Sequence, residues 1–269
     1  MGLLVEARQL SAMGPDGLIF TSVSGVVHDR DLAVVSGPAD QERTALMLAL
    51  CGRLSLAGGT LHTDSSFPGR STAAVLRDRI AVAQAPPVIT VDPLLRVREA
   101  ITERRLVCGK RMSVAAVRDA CELMRIETPP GDTPIRDLDP VERLLLSVAL
   151  ACSQHVDGIA VADVDAGLGT ADRLFVRRAL RAISSAGKAV IATSSDAGWG
   201  DVDIPVSSEG APDRGGEHGS TWVPASHRLP GYDASPEGKP HAADQAPWDE
   251  EDEEYDDPRG PYEDEESAS

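Results

Sequence analysis

VVSGPADQERTALMLAL, residues 34–50, is the stretch that decides how the chain is read. An apolar, β-branched run, Leu32–Val35, breaks at Ser36-Gly37-Pro38, and helix formers then continue to about Leu54. Strand, tight loop and helix form the setting of a phosphate-binding loop with the pattern GxxxxGK[ST]. Gly37 matches the first glycine, and Thr44 matches the hydroxyl that ligates Mg²⁺. Between them stand Pro38, Ala39, Asp40, Gln41, Glu42 and Arg43, with Glu42 at the second glycine and Arg43 at the lysine. The frame is that of a phosphate loop, but its chemistry is altered. A carboxylate at position 42 adds bulk and negative charge where backbone N–H groups and a helix N-terminus would cradle phosphate.

Outward from this stretch the chain reads as alternating strands and helices. Leu3–Leu10, Leu18–Phe20 and Val23–Val27 precede the loop as short strands, which predicts an antiparallel sheet beside a parallel core. Ala57–Leu61 reads as a turn into a strand, residues 67–72 as loop, and Ile80–Ala83 as a strand ending at Gln84. Helical spacing covers Val97–Leu106 and Val114–Met124. A further helix opens at Pro140, with Asp139 as its cap, and runs to Cys152. Ile159–Ala162 reads as a buried strand ending at Asp163, Ala171–Ser185 as an amphipathic helix, Ala189–Thr193 as a strand ending at Ser194, and Asp201–Val206 as a last short strand. At the start of the first helix, Asp40 is spaced to cap the N–H of Glu42 or Arg43.

From Ser207 the composition turns to Gly, Pro, Ser, His and Asp, which cannot bury enough apolar surface to offset ordering entropy. Residues 1–206 are therefore expected to fold and 207–269 to form a disordered acidic tail. The net charge is −17, and acid is concentrated between Asp249 and Glu266, so the body is much closer to neutral. No global basic footprint for nucleic acid is present. Aromatic residues are 3% of the chain, which suits an α/β core built on Ala, Val and Leu. Cys51, Cys108, Cys121 and Cys152 lack CxxC spacing and read as reduced, buried thiols. The six histidines are scattered and suggest no metal cluster. The N-terminus enters a strand pattern without a signal peptide, and the apolar run Leu144–Cys152 is too short to span a bilayer.

With these elements in order, residues 3–206 resemble the ATP-binding cassette domain of ABC transporters. Gly37–Thr44 takes the Walker A place. Gln84 resembles the Q-loop glutamine, and Asp92–Ile101 the segment that follows it. Arg136–Ala151 resembles the signature region, Ile159–Leu168 the Walker B strand and its turn, and Ala189–Asp196 the strand that ends in the switch histidine. The resemblance implies a P-loop NTPase fold of the cassette type, with an antiparallel β subdomain and a helical subdomain at about residues 92–138. It implies ATP and Mg²⁺ as ligands, with Gly37 to Thr44 and Gln84 on the nucleotide and Thr44 and Asp163 on the metal. It further implies a membrane-embedded transport subunit as partner, a second cassette as another, and a cytoplasmic place at the inner face of the membrane.

Several positions depart from the family pattern. Asp139, Pro140 and Val141 replace the serine and glycines of the signature, while Leu138, Glu142 and Arg143 are kept. Val164 stands at the general-base position and Ser194 at the switch histidine, and no aromatic residue lies near Met13 for adenine to stack on. Val164 cannot accept a proton. Simpler roles stand beside the family roles: Thr44 as a first-turn residue, Arg43 as a salt-bridged cation, Gln84 as a strand-end polar residue, and Asp163 as a cap for its turn. Three functions remain open. One is a degenerate cassette subunit with weak or no hydrolysis, beside a membrane transport protein. Another is an ATP-binding subunit active in a heterodimer with an intact cassette. The third is a non-enzymatic scaffold or regulator whose acidic tail binds partners.

Overall fold

The structure is a computed structural model that describes residues 2–15, 17–64, 69–109 and 112–206. The acidic tail at 207–269 and the expected loop residues Phe67 and Pro68 lie outside the described residues.

Two strands, β1 (Leu3–Gly14) and β2 (Gly17–His28), form an antiparallel hairpin, and β4 (Gly58–His62) pairs on the other side of β1. The sequence suggested two short strands within β2. They are one long strand, and the break between them is a set of register shifts against β1. The second sheet is parallel, with order β5-β6-β7-β3-β8. Its strands are β3 (Leu32–Ser36), β5 (Ile80–Gln84), β6 (Gly158–Val161), β7 (Ala189–Ser194) and β8 (Val202–Pro205).

Every residue of β3, β6 and β7 is buried, as expected for parallel strands covered on both faces. Alternate side chains feed two separate cores. Leu32, Val34, Ile159 and Val190 face one side, where α3 (Val97–Cys108), α4 (Val114–Met124), α5 (Pro140–Cys152) and α6 (Thr170–Ser185) pack. Ala33, Val35, Ala160 and Ile191 face the other side, against α1 (Asp40–Leu50) and the antiparallel sheet. The short helix α2 (Thr72–Arg79) was not legible in the sequence. Its apolar stripe is short, with only Val75 and Leu76 buried, and its start rests on Ser71, which accepts from the Ala74 N–H.

Asp139 caps α5 as its sequence indicates. It accepts from the Glu142 N–H at 2.8 Å, and Glu142 returns the bond to the Asp139 N–H at 3.2 Å. The cysteines are all free thiols. Cys51 and Cys121 are buried, whereas Cys108 and Cys152 are partly exposed, which corrects the expectation that all are buried. Burial pushes the thiols of Cys51 and Cys152 up to about 12. No helix among the described residues is long and apolar enough to cross a membrane.

Candidate functional site

Because β3, β5, β6 and β7 run parallel, the residues that follow their C-terminal ends gather at one edge of the sheet. Gly37, Gln84, Asp163 and Ser194 therefore meet there from four separate parts of the chain. Gly37 has φ +156°, and a Cβ on it would lie 2.8 Å from the carbonyl oxygen of Val206. The chain leaving β8 closes over the loop at this point, where the Val206 N–H donates to the Ser36 carbonyl at 2.7 Å.

Helix α1 starts at Asp40, and its N-cap is Ala39, which makes no side-chain capping bond. This overturns the expectation that Asp40 caps the helix. Asp40 is already the first helical residue, so its carboxylate lies beside the helix rather than across its end. That carboxylate takes up Arg43 instead: the guanidinium donates to Asp40 and to the carbonyl of Gly37, and lies 3.6 Å from an oxygen of Asp163. Arg43 is buried with its side chain 3% exposed, while Asp40 is 74% exposed. The loop is neutralised by its own cation rather than by its own anion, and the buried Nε of Arg43 has no hydrogen-bond partner among the described residues. Of the two readings of Arg43, the geometry corresponds to the salt-bridged one.

Asp163 has φ +53°, uncommon for a residue with a side chain. Its N–H donates to Thr193 Oγ1 at 2.8 Å, and the same hydroxyl donates to Asp163 Oδ1 at 3.3 Å. Burial raises its carboxyl above the ordinary range and the nearby Asp40 adds to this, with Arg43 and the Thr193 hydroxyl acting in the opposite direction. Thr44, the fifth residue of α1, is buried. Of Thr44 and Asp163, the two residues that the family resemblance assigns to Mg²⁺, Asp163 already has the guanidinium of Arg43 beside it. Gln84 donates to the Ala162 carbonyl at 3.1 Å, which ties the end of β5 to the turn that carries Asp163.

Val164, where the resemblance expects a general base, is fully buried within the helical-side core. Ser194 is also fully buried and donates to Asp165 Oδ2 at 3.0 Å. The same oxygen accepts from the Ser195 N–H at 3.1 Å and the Ser195 hydroxyl at 2.7 Å. Burial acts to raise the Asp165 carboxyl, but the hydroxyl of Ser195 and then that of Ser194 outweigh it and hold it below the ordinary range. Asp165 did not stand out from the sequence. The signal was there in a carboxylate two residues after Asp163 and a Ser-Ser pair at the end of the next strand.

Met13, which the resemblance sets beside adenine, is 63% exposed at the end of the β1–β2 hairpin. The signature segment borders a hollow of about 610 Å³ that does not lie over the phosphate loop. Asp139, Pro140, Val141 and Glu142 line it together with Leu168 and Phe175. No group of His, Cys, Asp and Glu among the described residues has the arrangement of a metal site.

No family model matches the chain. Among curated proteins, the hemin import ATP-binding protein HmuV of Rhodococcus jostii is 25% identical over 185 residues, 66% of this chain. The chain spans 61% of that relative's length. Among solved structures, the cbiO1 protein of Clostridium perfringens, part of an ABC transporter complex, superposes with a TM-score of 0.61 at 14% identity, over 77% of this chain and 85% of that one. A dimeric ATP-binding cassette in a post-hydrolysis state, bound to ADP and Pi, gives a TM-score of 0.60 at 14% identity, over 75% of this chain and 94% of that one.

Proposed function

We propose that this chain, whose fold is that of the ATP-binding cassette domain, is a degenerate cassette subunit that works beside a membrane-embedded transport protein with weak or no ATP hydrolysis. The observation that carries this reading is the position of Arg43. To admit Mg²⁺ and a triphosphate, the guanidinium must leave the Gly37 carbonyl, Asp40 and Asp163 together. Two unit charges about 4 Å apart attract by about 4 kcal/mol at an effective dielectric constant of 20, and desolvation offsets part of that. The residues of this loop therefore do not fit the Mg²⁺–ATP arrangement that the fold implies. The uncapped start of α1 leaves weak anion affinity.

The chemistry argues in the same direction. Val164 offers no proton acceptor and is enclosed in the core. Ser194 is held by Asp165, away from any substrate role. The signature helix begins with a proline and is sealed by its own capping box, so its N-terminus offers little to a neighbouring phosphate.

A membrane subunit is the partner that suits the fold, and in this reading the chain works beside it at the cytoplasmic face of a membrane. Val88 and Leu94, at 47% and 71% exposure, follow Gln84 and form an apolar edge for such docking. Gln84, Thr44 and Asp163 keep their residue types and their places at the sheet edge, and this favours a second reading as the inactive half of a heterodimer with an intact cassette. The test is Mg²⁺-dependent turnover of the purified chain, alone and mixed with a competent cassette. The first reading expects none alone. Turnover of about 1 s⁻¹ or more by the chain alone would overturn it.

A further inference from the structure

The chain is acidic overall, yet the sequence from Arg104 to Arg118 holds five cationic residues and no acidic one. This stretch spans the end of α3, its connection and the start of α4. Within it are the two most exposed large apolar side chains among the described residues: Leu106 at 79% and Val107 at 78%. Val114, in the first turn of α4, is 46% exposed.

Packing explains why these side chains face outward. Ile101 and Cys108, seven residues apart on α3, pack against the helical-side core. Leu106 falls on the opposite side of the same helix, and Val107 about 100° round from Cys108. Beneath the tip Met112 is 7% exposed and pairs with Gln154, and the Ser113 N–H reaches the Ser153 carbonyl. The hairpin end is thus anchored from below.

The cations differ from the rest in a second way. Many arginines of the cassette are held by acids: Arg70 by Asp78, Arg79 by Asp157, Arg98 by Asp132, Arg181 by Asp201. Arg105 and Arg118 are exposed and have no such side-chain partner among the described residues. Exposed cations without acidic partners, around outward apolar side chains, suit a surface that is anionic and fluid.

We propose that the α3–α4 tip is a contact site for an anionic lipid bilayer. Leu106, Val107 and Val114 enter the boundary between headgroups and acyl chains, and Arg104, Arg105 and Arg118 face the lipid phosphates. This contact is direct and does not depend on the nucleotide reading of the phosphate loop.

The experiment is sedimentation of the full-length chain with vesicles at physiological ionic strength, where charges more than about 8 Å apart are largely screened. One set is phosphatidylcholine alone, and the other contains about one third phosphatidylglycerol. The chain is expected to sediment with the anionic set only, and to come off as salt rises. Leu106→Ser with Val107→Ser is expected to lower the bound fraction at least about tenfold. The fold should be unchanged, because both side chains are already in water. Arg105→Glu should act in the same direction. Equal or no sedimentation with the two vesicle sets overturns the proposal. So does anionic-vesicle binding that the double serine variant leaves intact, which would assign the stretch to acidic partners recognised by charge alone.

Discussion

The guanidinium of Arg43 lies 3.6 Å from the carboxylate of Asp163, and so links the residue at the lysine place of the phosphate loop to the residue at the metal-ligand place after β6. In the proposed reading Arg43 neutralises the loop from within, and Val164, at the place where the resemblance expects a general base, is part of the core.

Restoring a carboxylate at position 164 is therefore not expected to restore hydrolysis. Val164 is fully buried, so Val164→Glu places an unpartnered acid in an apolar core. A loss of about 2–4 kcal/mol is expected in chemical denaturation, with turnover still at background. Full stability of this variant together with new ATPase activity would mean that position 164 faces the loop.

Gly37→Ala probes the closure of the loop by the chain after β8. The positive φ and the 2.8 Å approach of the Val206 carbonyl leave no place for a methyl group. The expected cost is about 1–3 kcal/mol in thermal or denaturant unfolding. An unchanged midpoint would indicate that Val206 does not lie over the loop.

Asp165 carries the acid dependence of this region. Its carboxyl is held below the ordinary value, so its contribution is fully present above about pH 4 and fades as pH falls through the lowered folded value. Asp165→Asn is expected to cost about 1–3 kcal/mol at neutral pH, from weakened bonds to Ser194 and Ser195. The gap between variant and native chain should narrow in acid. A gap that stays constant from pH 7 to about pH 3 would contradict this account.

The cap of α5 gives a smaller effect. Asp139→Ala removes one of the two bonds of the capping box, and a loss of about 1 kcal/mol is expected. Because Pro140 still starts the helix, the change should appear in the unfolding midpoint and not in the helix content of the folded protein.

The sequence carried the parallel core well, because β3, β6 and β7 are short apolar runs that end at or beside the site residues Gly37, Asp163 and Ser194. It carried α5 through Asp139-Pro140, a local signal that tertiary context did not override. Helix α2 was missed because it buries only Val75 and Leu76 and opens after a loop with no apolar period. The partnership of Asp40 with Arg43 was not legible for a different reason. The spacing of Asp40 fits a cap equally well, and whether the helix begins at that residue or one after it decides which way the carboxylate points. Nor does a linear pattern bring Asp165 next to Ser194, because that contact exists only once β6 and β7 pair.

Calorimetric titration of ATP with Mg²⁺ into the native chain, and into the Glu42→Gly, Arg43→Lys variant, tests the central claim most directly. The native chain is expected to bind with millimolar affinity or not at all. The variant is expected to bind measurably better, because it removes the guanidinium from Asp163 and the carboxylate from the loop. Micromolar binding by the native chain would show that Arg43 leaves Asp163 at little cost, and would contradict the account.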